Sequence, residues 1–129
     1  MSFTIKNLRQ VEDMAPRFGF NEVQEARFPG KDLESESTGL AFHRVKPGCC
    51  QAFAHRHEQA EEIYVVLSGR GRIKLDDEVH DVRRWDILRI GPDVMRNLEA
   101  GPEGVTLIAF GAPLGEETDG NLVPGWWSD

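Results

Sequence analysis

The chain reads as an all-β domain, a sandwich or small barrel of seven or eight short strands. Three observations carry that reading. Turn-forming residues recur at Pro29-Gly30, Pro47-Gly48, Gly69, Asp76-Asp77, Gly91-Pro92, Gly101-Pro102 and Gly111, at spacings suited to short strands. The runs between them favour β-branched and aromatic residues. Only one short stretch has helical spacing, and it lies near the start.

That stretch is Asn7 to Ala15, "NLRQVEDMA", where Leu8, Val11 and Met14 fall near one face and Pro16 is expected to stop the helix after at most two turns. Asp32 to Ser37 is polar enough for a solvated loop, and so is Gly115 to Asn121. Strands are expected at Leu40 to Val45 and Gln51 to His57, with Pro47-Gly48 turning the chain between them. Ile63 to Leu67, "IYVVL", is apolar on both faces, which suits a central strand covered on both sides. Arg72 to Leu75, Glu78 to Val82, Asp86 to Ile90 and Val105 to Phe110 continue the series as hairpins, the first closed by Asp76-Asp77.

At 129 residues and 40% hydrophobic, the chain can bury one sizeable core and not two. A single domain over 1–129 is the expectation. The formal net charge of -7, from 15 Lys and Arg against 22 Asp and Glu, disfavours nucleic acid and anionic membrane as partners and leaves a small molecule or a protein. No stretch approaches the roughly 20 apolar residues of a membrane span, and "MSFTIKNLRQ" lacks the apolar core of a secretory signal, so a cytoplasmic location is expected. Cys49 and Cys50 are neighbours and imply no disulfide framework; reduced thiols suit that compartment.

The segment "HRHEQAEEIYVVLSG", His55 to Gly69, carries the chemistry. Strand alternation sends His55 and His57 to one side with Arg56 opposite. A metal centre needs imidazole nitrogens and a carboxylate arriving from different directions, and a following strand that begins at Glu61 or Glu62 can supply the carboxylate. The competing reading is a half-exposed histidine pair at a strand end, capped by acidic surface residues.

With its flanks, this stretch resembles the first signature of the cupin superfamily, G-x5-H-x-H-x3-4-E-x6-G. His55 and His57 match the pair, Gly48 stands one residue further ahead than the pattern, and six residues separate Glu62 from Gly69. That count selects Glu62 over Glu61, and alternation agrees, since Glu62, Tyr64 and Val66 share a face. The resemblance spans roughly Leu40 to Ala112, is closest to small single-domain bacterial cupins, and implies a double-stranded β-helix jelly roll, with the barrel at roughly 38–112 behind a short N-terminal extension. It further implies a cavity opening near His55, His57 and Glu62, one divalent transition metal (Fe, Mn, Ni or Zn) on those three residues, a small-molecule ligand and a homodimer.

The second cupin signature, G-x5-P-x-G-x2-H-x3-N, is departed from. Along "WDILRIGPDVMRNLEAG", Trp85 stands for the first glycine, Gly91 for the proline, Asp93 for the second glycine, Arg96 for the histidine and Ala100 for the asparagine. Arginine stays protonated and has no lone pair to offer a metal. Arg96 can instead pair with Glu62 and leave a metal-free pocket, or bind an anionic group of a substrate while the two histidines and Glu62 hold the cation. His43, alternating with Ala41 and Val45, is a candidate replacement ligand or a packed strand histidine. Tyr64 is a candidate substrate contact or a core residue with a satisfied hydroxyl. His80 should face solvent, Cys49 and Cys50 should be buried and inert, and Trp126 and Trp127 should dock on the subunit.

Two functions follow. One is a metal-dependent enzyme acting on a small organic molecule, by oxygen activation or Lewis-acid isomerisation, with Arg96 and Tyr64 contacting substrate. The other is a non-catalytic binding or regulatory module with a metal-free pocket.

Overall fold

The computed structural model describes residues 2–111 and 120–127. Eight strands form one curled antiparallel sheet: β1 Gln24–Arg27, β2 Leu40–Val45, β3 Phe53–His57, β4 Glu62–Leu75, β5 Glu78–Arg83, β6 Ile87–Ile90, β7 Arg96–Phe110 and β8 Gly120–Pro124. Two strands are far longer than the turn signals suggest. β4 and β7 run alongside each other and belong to both layers of the roll. Val105 to Phe110 of β7 lies between β2 and the first half of β4, whose other edge is β6. Arg96 to Ala100 lies beside the second half of β4, and β3, flanked by β8, joins at His55 opposite Arg96. This is the jelly-roll arrangement, the double-stranded β-helix expected from the sequence.

Glycine lets the long strands bend from one layer into the other. A Cβ on Gly69, at φ +76°, would sit 2.0 Å from the Gly104 carbonyl oxygen, and the register between β4 and β7 shifts on either side of it. Gly69 and Gly101-Pro102, which read as turn signals, are therefore bends inside continuous strands. Asp76-Asp77 does close the β4–β5 hairpin, with Asp76 at φ 52°.

The N-terminal section differs from its expectation. Residues Leu8–Gln10 form one 3-10 turn, capped by Asn7, whose side chain accepts a hydrogen bond from the Arg9 amide. Pro16 lies near the start of the short helix α1, Ala15–Phe18, where the missing N–H is no loss, and Gly19 at φ 78° ends it. Between the two, Asp13 bridges to Arg27, and its carboxylate accepts from the amides of Ala15 and Ala26, both at 3.0 Å. Those bonds secure β1, "QEAR", whose polar composition gives no strand signal. β3 starts at Phe53 rather than Gln51. Of the loop expected over Gly115 to Asn121, residues 115–119 lie outside the described ones, while Gly120 and Asn121 open β8.

Val45, Val66, Ile73, Leu98, Val105 and Leu107 are almost fully buried between the layers. β4 keeps strict alternation there: Glu62, Tyr64 and Val66 point in, and Ile63 points out, 43% exposed. "IYVVL" is central, as expected. Its outer face is only partly covered by the described residues, with Val65 and Leu67 half-buried and Ile63 exposed, short of the full covering expected. Trp126 and Trp127 dock as expected, over the Lys74 ammonium (4.4 Å) and the Arg72 guanidinium (5.3 Å).

Candidate metal centre

Three strands deliver the site. β3 carries His55 and His57 on one face, β4 opens with Glu62, and β7 opens with Arg96 opposite His55. The His57 amide donates to the Pro92 carbonyl at 2.6 Å, which fixes the end of β3 against the Gly91-Pro92 turn. His57, Glu62 and Arg96 are buried, while the His55 side chain is 19% exposed and forms the approach from solvent.

All donors converge on one oxygen. His57 Nε2 lies 2.9 Å from Glu62 Oε1, His55 Nε2 lies 3.3 Å from it, and Arg96 Nη1 donates to it at 2.6 Å. The two rings meet edge to face, 5.1 Å between centroids. Burial acts to raise the Glu62 pKa, yet hydrogen bonds from His55 and His57 and their charges outweigh it and hold the carboxyl well below the usual carboxylate range. Glu62 is therefore an anion across the physiological range. Arg96 Nη2 donates to the Gly91 carbonyl at 2.7 Å, and its Nε is buried with no partner among the described residues.

The donor set fits a divalent transition metal. His55, His57 and Glu62 each offer an atom within 4.8 Å of the other two, and they are the metal-competent group found among the described residues. A metal about 2.0–2.2 Å from each ligand implies ligand-to-ligand separations of roughly 3 Å, close to the 2.9 and 3.3 Å edges observed here. Three nitrogens crowd Oε1, which has two lone pairs, and of them only Arg96 Nη1 is a donor whatever the histidine tautomers. A cation among the three groups would relieve that. The family's fourth ligand position holds Arg96, which points inward as one of the two sequence readings required and pairs with Glu62.

Tyr64 lies behind Glu62 on the same face, 2% exposed. Burial and the Glu62 charge push its pKa up, and the Arg96 charge and hydrogen bond pull the other way. It thus supports Arg96 from the core. His43 is on the inner face of β2 but is not among the converging donors. Its Nδ1 is buried without a partner among the described residues, its ring meets Phe28 edge to face at 5.8 Å, and its pKa is lowered to about 4, chiefly by burial and also by His55. His80 is exposed beside Glu78, Glu61 faces out to Arg89, and both cysteines are half-buried, Cys50 beside Glu99. Two clefts of about 440 and 600 Å³ lie elsewhere, the first under Trp126 and Trp127 and the second around Arg70 and Arg83.

Sequence reading missed the scaffolding. Gln51 is buried; its side chain accepts from the Leu98 amide at 3.1 Å, and its amide donates to the Leu98 carbonyl, tying the approach of β3 to β7. Gln24 accepts from the Ala52 amide at 3.0 Å. Nothing in an isolated glutamine distinguishes such a strut from surface. The Gly91-Pro92 turn was visible, and its two carbonyls are what hold Arg96 and His57.

Fold and site together define a small jelly-roll protein with a two-histidine, one-glutamate pocket. The family described as "Cupin domain" matches residues 41–107, just over half of the chain. The chain belongs to the cupin-domain family. It is 34% identical over 55 residues to an uncharacterized protein of Methanocaldococcus jannaschii, a match spanning 43% of this chain and 44% of that one. Among solved structures it is similar to a cupin protein from Bacteroides fragilis (TM-score 0.68, 22% identity, 100% of this chain and 90% of that chain). It is also similar to an oxalate decarboxylase of Bacillus subtilis (TM-score 0.67, 20% identity, 83% of this chain and 29% of that chain).

Proposed function

We propose that this cupin holds one divalent transition metal on His55, His57 and Glu62 and acts on a small organic molecule. The observation that carries this reading is the convergence of two imidazole nitrogens and one carboxylate in a largely buried cluster, at separations a single ion would bridge. Two histidines and one carboxylate leave coordination positions open, the arrangement suited to oxygen activation at Fe(II) or to Lewis-acid isomerisation. A bound metal would supply that chemistry. The chain's own residues do the rest: His57 and the Gly91-Pro92 turn set the ligand geometry, the half-exposed His55 marks the entrance, and Arg96 places a fixed positive charge beside the centre. With Glu62 as the carboxylate in the group, a divalent ion and Arg96 leave an excess of positive charge, which favours an anionic substrate. The likeness to oxalate decarboxylase, itself named for an acid substrate, is in keeping with this. A cytoplasmic location fits two free thiols.

A second reading rests on the 2.6 Å contact between Arg96 and Glu62, which compensates the buried carboxylate without a metal and suits a non-catalytic binding module. Elemental analysis of protein purified without chelator separates the two. Near-stoichiometric metal in the wild type, lost in His57→Ala and Glu62→Ala, supports the metal-dependent reading. Equally low metal in all three supports the binding module.

A further inference from the structure

The cleft of about 440 Å³ under Trp126 and Trp127 lies outside the roll and shares no residue with the metal centre. Asn97 in its floor follows Arg96 on β7, and strand alternation sends the two side chains to opposite faces, Arg96 toward Glu62 and Asn97 outward. A volume of this size is within the range of small-molecule sites.

The lining is rich in aromatic rings. Phe20 contributes one and is itself held in place, parallel to Phe18 at 5.9 Å and edge to face with Phe53 at 5.8 Å. Gly125, at φ 67°, turns the chain into Trp126 and Trp127, which contribute two more. The Lys74 ammonium engages the Trp126 ring and the Arg72 guanidinium the Trp127 ring. A cation occupies one face of an indole and leaves the other for a second ring, and at exposed sites such contacts are weak enough for the tail to shift around a guest. Charge is sparse. Among the described residues lining the cleft, Glu22 at the exposed rim carries the only formal charge, and Lys74 and Arg72 beside the indoles offset it. Neither an anion nor a cation is favoured there.

The floor holds an unmet polar group. Asn97 is 3% exposed; its Nδ2 donates to the Gln51 carbonyl at 3.4 Å, a long bond, and its Oδ1 is buried with no partner among the described residues. With the amide turned over, Oδ1 would face the Gln51 carbonyl and Nδ2 would be the unpaired atom, so neither orientation satisfies the side chain. A buried amide left in this state is less stable than an apolar group of the same shape. Its oxygen needs a donor that the described residues do not supply.

We propose that this cleft binds a small, uncharged aromatic molecule, its ring against Phe20, Trp126 and Trp127 and an N–H or O–H of its own donating to Asn97 Oδ1. The aromatic lining selects a flat ring, the lack of net charge selects a neutral one, and the orphaned oxygen selects one that carries a donor. The site faces away from the metal centre and is independent of it.

Indole, with one N–H, and 1-methylindole, which lacks it, are the probes. The place of binding is read from the ring N–H signals of the three tryptophans in the whole chain labelled with nitrogen-15, and the affinity from calorimetry. Indole should shift the Trp126 and Trp127 signals saturably and leave Trp85, which is 65% exposed with Arg84 over its ring, in place. 1-Methylindole should bind about fivefold more weakly, the worth of one neutral hydrogen bond. Asn97→Leu should bind the two probes equally. Trp126→Ala with Trp127→Ala should weaken indole by about tenfold or more, with unchanged circular dichroism since both lie on the partly exposed tail. The absence of a saturable shift below roughly 5 mM indole overturns the inference. Equal affinity of the wild type for both probes, or a Trp85 signal that moves with the other two, overturns it as well. The probe pair decides on the wild type alone, even where Asn97→Leu fails to fold. Metal content plays no part in these readouts, so this inference and the proposed metal site stand or fall separately.

Discussion

Arg96 decides what the pocket can be. Its side chain is fully buried, bonded to Glu62 and to the Gly91 carbonyl, and stands where the cupin signature places a histidine. Removing a partner from a buried ion pair leaves an uncompensated charge, costing roughly 3–5 kcal/mol. Arg96→Ala should therefore lower the stability of metal-free protein by about that amount in urea titrations, and a divalent metal beside Glu62 should restore a good part of it. Arg96→His removes the competing charge and offers a third imidazole. It should bind Ni or Zn at least tenfold tighter than wild type in chelator competition. Unchanged affinity in Arg96→His would mean that the position does not face the metal.

His43 gives a pH signature at the same scale. Its folded pKa of about 4 lies below the ordinary histidine value of 6.5, so the unfolded chain takes up the proton first as pH falls. The contribution of neutral His43 is complete above pH 6.5, erodes on the way down and is lost by about pH 4. Between pH 7 and 5 this amounts to on the order of 2 kcal/mol, at 1.36 kcal/mol per pH unit. His43→Gln should flatten the stability profile over that interval, measured by urea unfolding at several pH values; a slope equal to wild type would assign the loss to other groups.

Among the elements, the strands that build the pocket were legible because their patterns are strong. β4 alternates Glu62, Tyr64 and Val66 inward, and β3 presents two histidines at strand spacing, so the grouping of His55, His57 and Glu62 was legible from strand alternation together with the cupin spacing. What could not be read depends on partners distant in sequence. β1 is held by Asp13 and β2 rather than by its own composition, and β4 and β7 pass through glycines that, read locally, signal turns. The uncovered outer side of Ile63 has the same cause, since burial of a strand's second face is settled by another layer or another chain. The bends are testable. Gly69→Ala combines a disfavoured positive φ with a Cβ 2.0 Å from the Gly104 oxygen, and Gly48, also at positive φ, has nothing within 4 Å. Gly48→Ala should cost about 1–2 kcal/mol from backbone conformation alone. Gly69→Ala should cost that and roughly 1–3 kcal/mol more for the clash, seen as the larger drop in thermal midpoint. Equal losses would show that β4 and β7 separate there without resistance.

At the scale of the whole molecule, the pocket is a staple between parts of the chain that meet only in the fold. His55 and His57 end β3, Glu62 begins β4 and Arg96 begins β7, so the groups at one point in space come from three strands and both layers. Unfolding separates them, so under the proposed function a metal held by His55, His57 and Glu62 would bind the native state far better than the unfolded one. Mass action then stabilises the fold by about 2.7 kcal/mol when free metal is 100 times its dissociation constant. For a domain of this size that should raise the thermal midpoint by roughly 10 °C. Because protons compete for the same nitrogens and carboxylate, the shift should shrink as pH falls. Calorimetry of chelator-treated protein, with and without added Ni, Mn or Zn, should show this rise in the wild type and none in His57→Ala. His57 is the better variant for the purpose, since it is buried and lies 2.9 Å from Glu62, whereas the more exposed His55 could be replaced by water. A wild type whose midpoint ignores all three metals would leave Arg96 as the counter-charge Glu62 uses in solution, and the jelly roll would be stapled by an ion pair instead.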